Sequence, residues 1–422
     1  MMNKQPYRTP PRWWSPRLSN SWVELLRPLR QRWGRSGEGL VNVSVRHGEY
    51  VREALDDRAG VMIVPNHPSH ADPYAMLAAA DALDTRFYFM TAWQVFQKTH
   101  WLGRFVLRRH GCFSINREGH DIRAMRQAVN ILRSAAEPLV IFPEGEVYHV
   151  NDRVMPFRRG AVALAQRAAS QTTRPVVAIP AAIRYEYLSD PRPGLAEVLR
   201  RLEAFVGVST DASRDLVSRV QTVGIAELNR REIQYFGATR RGPVTVRRMQ
   251  LMQHVLASVE QSVGSSGVHV SVPQRVKEAR RRLIQRIESQ GSAEDREFVE
   301  AGFNDLFFVM QLFSYPSTYL SDNPPIERVA ETIDKLEEDL LGTSTTHERG
   351  RRHATVTFGA PVSIPKTSGT RQQSLQLTAL LEERVAELLR DGASYSEDTV
   401  LPPRIAASTR ERGSSLRLSP VP

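Results

Sequence analysis

The sequence predicts an α/β chain that runs into a long helical block and then returns to strand. Three observations carry this. Apolar runs of strand length alternate with amphipathic helical runs from Val41 to about Tyr185. From about Ser189 to Gly350 only long helical runs remain. Beyond them, Ala354-Thr-Val-Thr-Phe358 reads as strand again.

Taken in order, Val41–Arg46 alternates and predicts a strand, Glu49–Leu55 a helix, and Val61–Pro65 a buried strand. A helix over Pro73–Leu83 and a strand over Arg86–Met90 follow. Ala92–Arg109 reads as one helical stretch containing Gly103. Then come a short strand Cys112–Ile115, a helix His120–Ala135, a strand Leu139–Phe142, a helix Gly160–Ala169 and a strand Val176–Tyr185. Pro180 inside that last run points to an edge or a bend, because it lacks a ladder donor. The helical block includes Asp211–Phe236, Thr245–Val263, Pro273–Ser289, Ala293–Phe313 and Pro325–Leu341, with Pro273 and Pro325 at first-turn positions. A final helix spans Ser374–Arg390, and the basic Ser/Pro/Arg tail from about Thr399 is expected to be disordered.

The chain has 422 residues, enough for two to four domains, and its apolar share of 41% suffices for a core. The lone cysteine, Cys112, excludes an internal disulfide framework and reads as a small apolar filler. No apolar run reaches bilayer-spanning length, and the N-terminus lacks the apolar core of a signal peptide. The expectation is a cytoplasmic protein with no transmembrane helix. The net charge of +11 asks for an acidic partner: a membrane surface, nucleic acid or a phosphorylated substrate.

That charge is concentrated at the front. The first 35 residues hold eight basic groups against one acid, Glu24, and four of the six tryptophans: Trp13, Trp14, Trp22 and Trp33. Trp22, Leu25, Leu26, Leu29 and Trp33 share one face of a helix started by a Ser21/Glu24 capping box and interrupted by Pro28. Such a helix fits the headgroup layer of an anionic membrane, peripheral on its cytoplasmic face; packing against its own domain is the alternative. Nucleic acid is disfavoured because no zinc-finger, helix-turn-helix or RNA-recognition pattern occurs. A serine hydrolase is disfavoured because Gly-x-Ser-x-Gly is missing from the sequence.

Four segments in the α/β part could carry chemistry. Asn66-His67-Pro68-Ser69-His70-Ala71-Asp72 directly follows a strand. Across a tight turn, Asp72 could fix the tautomer of His67 and leave its other nitrogen free to take a proton from a hydroxyl. Asp72 ahead of Pro73 reads equally well as a helix N-cap, and His70 is a rival base. In Gly111-Cys-Phe-Ser-Ile115-Asn-Arg117, Arg117 could grip a phosphate with its planar fork; a solvated arginine is the bland reading. In Phe142-Pro-Glu144-Gly145-Glu146, Gly145 permits close backbone approach, and Glu144 could accept from a hydroxyl or clamp Arg117. Arg158 and Arg159 open a helix, where an anion is favoured. The fourth segment, Val176–Pro180, offers no reactive group.

In this order the four segments resemble the motifs of the glycerolipid acyltransferase family, over about residues 41–187: Asn-His-x-Ser-x-x-Asp, Gly-x-x-x-Ile-x-Arg, Phe-Pro-Glu-Gly, and an apolar strand with proline. The resemblance implies a mixed sheet flanked by helices, with the helical block a large all-helical insertion. It divides the chain into a basic Trp-rich amphipathic arm (1–40), a core (41–188), the insertion (189–350), a closing strand and helix (351–391) and a tail (392–422). It implies O-acyl transfer from acyl-CoA or acyl-ACP to a lysophospholipid such as 1-acylglycerol-3-phosphate. His67 would be the general base and Asp72 its orienting carboxylate, with Arg117, Glu144, Gly145, Arg158 and Arg159 around the acceptor phosphate. The expected partners are the acyl thioester, the lysophospholipid and an anionic membrane, with neither metal nor added cofactor. A different alcohol acceptor, or a catalytically silent lipid-binding protein, is the alternative.

Two features depart from the family. Glu146-Val-Tyr-His follows Phe-Pro-Glu-Gly where Thr or Ser is usual, and a carboxylate there repels phosphate unless Arg158 and Arg159 compensate. The roughly 160-residue helical block exceeds any ordinary connection; its Phe303, Leu306, Phe307, Met310 and Phe313 read as bundle core or as an acyl-chain guide.

Overall fold

The computed structural model describes residues 11–392 apart from 119–120, 210, 266–270, 291, 317, 321–322, 344–348 and 367–369. The tail beyond Thr399 and the first ten residues lie outside the described residues.

The strands are β1 (Leu40–Arg46), β2 (Gly60–Pro65), β3 (Tyr88–Ala92), β4 (Cys112–Ile115), β5 (Leu139–Val140), β6 (Val176–Tyr187), β7 (Arg352–Phe358) and β8 (Val362–Ser363). They form one eight-stranded mixed sheet in the order β1-β7-β6-β2-β5-β3-β4, with β8 also against β6. Strands β6, β2, β5, β3 and β4 run parallel; β7 is antiparallel to β6 and parallel to β1.

Helices cover both faces. Before the insertion these are α1 (Asn20–Leu25), α2 (Arg27–Glu38), α3 (Glu49–Asp56), α4 (Asp72–Ala82), α5 (Trp93–Lys98), α6 (Trp101–Arg109), α7 (Ile122–Ser134) and α8 (Gly160–Ala169). Every residue of β2 is buried, as a central strand between two helical layers requires. Its alternate side chains feed separate cores: Val61 and Ile63 pack with Ala75, Met76 and Ala79 of α4, whereas Met62 and Val64 pack with Ala128 and Leu132 of α7 and Ala165 of α8.

Between β6 and β7 the chain adds α9 (Arg192–Val206), α10 (Leu216–Phe236), α11 (Val244–Ser262), α12 (Val272–Gln290), α13 (Ala293–Phe313) and α14 (Ile326–Leu341); α15 (Arg371–Asp391) follows the sheet. One insertion core joins α9, α10 and α14 through Leu199, Leu202, Val223 and Ile333. The other joins α11, α12 and α13 through Leu251, Val255, Leu283 and Leu306. Phe303, Leu306 and Met310 are buried in that second core and Phe313 packs against it, so these members of the stripe are bundle core, whereas Phe307 is half-buried and does not belong to it.

Several local expectations need correction. The Ser21 capping box is replaced by Ser19 at the N-cap, without a side-chain cap bond. The start of α1 is instead set by the preceding strip, whose Arg17 and Ser19 amides donate to the Arg108 and Arg109 carbonyls at 2.8 and 3.1 Å. Trp14 is stacked on Phe96 with ring centroids 5.3 Å apart, so the front of the chain is packed on the core. Pro28 takes an early position in α2 once the helix has broken at Leu26. The stretch Ala92–Arg109 splits into α5 and α6 where Thr99 turns extended. Strand β3 starts two residues later than expected and ends at Ala92. Pro325 is the N-cap of α14 and lies outside its first turn. Pro180 sits inside the sheet, on no edge: it faces the break between β7 and β8, where its carbonyl takes the Gly359 amide at 2.8 Å.

Candidate active site

The parallel strands end along one edge of the sheet, and the loops after β2, β4 and β5 meet there. The loop after β2 is pinned by Asn66, whose buried amide donates to the Ile183 carbonyl at 3.0 Å and accepts from the Ile183 amide at 2.7 Å. His67 Nδ1 lies 2.6 Å from Asp72 Oδ2. That carboxylate also accepts from the Ser69 amide at 3.1 Å and from the Tyr185 hydroxyl at 2.7 Å, and Asp72 is fully buried. A carboxylate only accepts, so Nδ1 carries the proton and the Nε2 lone pair is left for chemistry. Among the described residues Nε2 makes no protein hydrogen bond, and the His67 side chain keeps 17% of its surface exposed.

The His67 ring stacks on Phe142 with centroids 4.1 Å apart. Burial pushes the imidazole pKa down, Asp72 restores part of the loss, and the net shift is downward. His67 is therefore neutral at neutral pH, the state a base requires. Asp72 is the first residue of α4 and Ala71 its N-cap, so the Asp72 side chain is committed to His67, Ser69 and Tyr185 and does not cap the helix.

Glu144 turns away from Arg117. It is buried, its Oε1 accepts from the Met155 amide at 3.3 Å, and the His67 backbone amide also stabilises it. Burial outweighs both and raises its pKa well above the usual carboxylate range. The expected clamp is not formed; the Arg117 guanidinium donates instead to the Gly145 carbonyl. Gly145 adopts φ +79°, a conformation that favours glycine, and a Cβ there would displace the Arg158 guanidinium, whose carbon would lie 2.7 Å away.

The neighbouring carboxylate carries the charge. Arg158 Nη2 lies 3.3 Å from Glu146 Oε1, and Arg280 Nη1 lies 3.8 Å from the same oxygen. Arg280 also donates to Glu118 at 3.1 Å. Burial raises the Glu146 pKa, but Arg158, Arg280 and Arg117 outweigh it, so the net shift is downward and Glu146 stays ionised. Compensation for Glu146 thus comes from Arg158, Arg117 and Arg280 of α12. Arg159 is exposed at the N-cap of α8. Sequence reasoning missed Arg280 because no local pattern separates it from the other arginines of α12.

His70, the rival base, is engaged elsewhere. Its Nε2 lies 2.8 Å from Glu338 Oε1 of α14, and His149 Nε2 lies 3.3 Å from the same oxygen. Burial lowers the His70 pKa, but Glu338 outweighs it and the net shift is upward. Burial likewise raises the Glu338 carboxyl, whereas His149 and His70 hold it well below its ordinary range. The three ligand atoms lie within 4.8 Å of one another, the spacing of a cation site. The direct hydrogen bond between His70 and Glu338 also ties the insertion to the loop bearing His67. Cys112 is buried, and burial pushes its thiol up to about 12, so it is an inert core residue.

Among protein families, the one described as Acyltransferase matches residues 42–184. No curated protein sequence matches the chain.

Proposed function

Because the chain carries a domain of the glycerolipid acyltransferase family over residues 42–184, we propose that it moves a fatty acyl group from an acyl thioester, acyl-CoA or acyl-ACP, to a hydroxyl of a lysophospholipid such as 1-acylglycerol-3-phosphate. The observation that carries this reading is the 2.6 Å contact between His67 Nδ1 and Asp72, with Nε2 left unpartnered among the described residues.

In this mechanism Nε2 takes the hydroxyl proton as the oxygen attacks the thioester carbonyl. The carbon–sulfur bond then breaks, and the imidazolium returns the proton to the leaving thiolate. Asp72 fixes the tautomer and stabilises the imidazolium. A positioned base supplies about 10²–10⁴ in rate, and holding the two substrates together supplies much of the rest. Arg117 and Arg158 face the acceptor phosphate, and Arg159 adds charge at the rim.

The substrates are membrane lipids, and the surface suits them. Trp22, Leu25, Leu29 and Trp33 are exposed, as are Trp101 and Leu102 of α6. The Trp22 ring meets Phe105 edge-on at 5.0 Å, which links the two helices into one apolar surface. We therefore read the protein as peripheral on an anionic membrane. No helix among the described residues is long and apolar enough to cross a bilayer.

Glu146 favours a second reading, in which the acceptor is an alcohol without a phosphate. The deciding experiment is a product screen with purified protein, acyl-CoA and lysolipids with and without phosphate, run in parallel with His67→Ala. Transfer that disappears in the variant supports the proposal. Full activity in the variant sinks it, and vesicle binding without turnover on any acceptor favours a silent lipid-binding protein.

A further inference from the structure

The insertion reaches the edge of the sheet where His67 lies. Arg280 of α12 is buried, yet its neighbours are Glu118 and Glu146, both from the core domain. Lys277, one turn earlier on α12, is exposed and lies within electrostatic reach of Arg158, Glu118 and Arg159. Four cations therefore converge from two parts of the chain: Arg117 and Arg158 from the core, Lys277 and Arg280 from α12. Glu118 and Glu146 are the carboxylates among them, so the group carries an excess of two positive charges. Two of its donors, Arg117 Nε and Arg280 Nε, are buried without a hydrogen-bond partner among the described residues. A buried donor left unpaired costs free energy unless a ligand takes it up.

We propose that Lys277 and Arg280 complete a composite anion site that takes the phosphomonoester of the acceptor, so that the helical insertion sets headgroup specificity. This inference rests on the acyl-transfer reading above. The chemistry matches on three counts: a dianionic phosphate balances the excess charge, guanidinium forks suit its oxygens, and an ammonium adds a point charge at the rim. Glu146 then acts as a spacer. By binding Arg158 and Arg280 through one oxygen, it holds both guanidinium groups together before the phosphate arrives.

The test uses the full chain with Arg280→Gln and Lys277→Gln; the Lys277 side chain is exposed, so its loss leaves the core intact. Affinity for glycerol 3-phosphate is measured by calorimetry, independently of turnover. KM and kcat are measured for 1-acylglycerol-3-phosphate and for a monoacylglycerol that lacks the phosphate. The expected result is weaker glycerol 3-phosphate binding in both variants. KM for the phosphorylated acceptor should rise on the order of tenfold for Arg280→Gln and threefold for Lys277→Gln, and in both variants the loss on the monoacylglycerol should be several-fold smaller. Unchanged binding and KM in Lys277→Gln, or an equal loss on both acceptors, overturns the inference. Wild-type protein that transfers to neither acceptor, yet binds glycerol 3-phosphate in a Lys277-dependent way, leaves the anion site standing and removes the acyl-transfer reading instead.

Discussion

The His67–Asp72 pair and the cation cluster stand on the same edge of the sheet but are built in opposite ways. His67, Asp72, Ser69 and Tyr185 all come from the core domain, and three of them lie within six residues of sequence. Arg117, Glu146, Arg158 and Arg280 span 164 positions and need α12 to meet. The proposed base is held by core residues alone, most of them from one short loop, whereas the proposed anion site needs the insertion. In the proposed mechanism the base and the anion site are therefore separable by substitution.

The largest expected effect breaks the local half. His67→Ala should lower acyl transfer by about 10²–10⁴, and Asp72→Asn should approach that loss because it removes the tautomer lock. Initial rates check this, and the far-ultraviolet circular dichroism of His67→Ala should match wild type. The same half has a pH signature. Because burial holds the His67 pKa below its usual 6.5 despite Asp72, kcat/KM should stay level from pH 8 down past 6.5 and decline only in more acidic buffer. An acid limb centred above 6.5 contradicts the assigned environment.

A smaller effect tests the seating of the insertion. Glu338→Gln leaves His70 without its carboxylate and should cost about 3–5 kcal/mol, read by denaturant unfolding. The Glu338 carboxyl is held below the ordinary glutamate value of 4.5, so its contribution is present above that pH and is lost as the solution is acidified through the folded pKa. His70 is raised above 6.5, so its contribution is present below that value and fades as pH rises through the folded pKa. The penalty of Glu338→Gln should therefore peak between about pH 5 and 6.5 and shrink toward pH 9. A penalty that grows toward alkaline pH rejects the ion pair.

Tyr185→Phe removes one charge-assisted bond to Asp72 and should cost about 1.5–3 kcal/mol, with a lesser loss of rate than Asp72→Asn. Smallest of all, Leu25→Ser combined with Leu29→Ser should weaken binding to anionic vesicles several-fold in a sedimentation assay, with soluble-substrate kinetics unchanged.

Much of this was legible in the sequence. Cys112–Ile115, Gly160–Ala169 and Ala293–Phe313 fold with the bounds their apolar patterns indicate, because each buries a face whose period is set locally. His67 and Asp72 meet because a five-residue span between a strand end and a helix start has few ways to run. Tyr185, Glu338 and Arg280 were not legible as partners: each arrives through tertiary packing from 113 to 268 positions away, and nothing in its own neighbourhood marks it. The inward turn of Glu144 was hidden for a related reason, since only the assembled loop shows that the Met155 amide is nearer than any guanidinium.

One feature of the sheet reaches beyond the site. Strands β6 and β7 are adjacent and antiparallel, and the Leu188 amide donates to the Arg351 carbonyl at 2.7 Å. The six helices described between them therefore leave and re-enter the sheet one hydrogen bond apart. Topologically they occupy the turn of a hairpin, and closing such a turn costs only slightly more as it lengthens. Leu188 and Arg351 stand at the spacing that a two-residue hairpin turn would close. A block so placed can change in length while the strands beside the His67 loop keep their register.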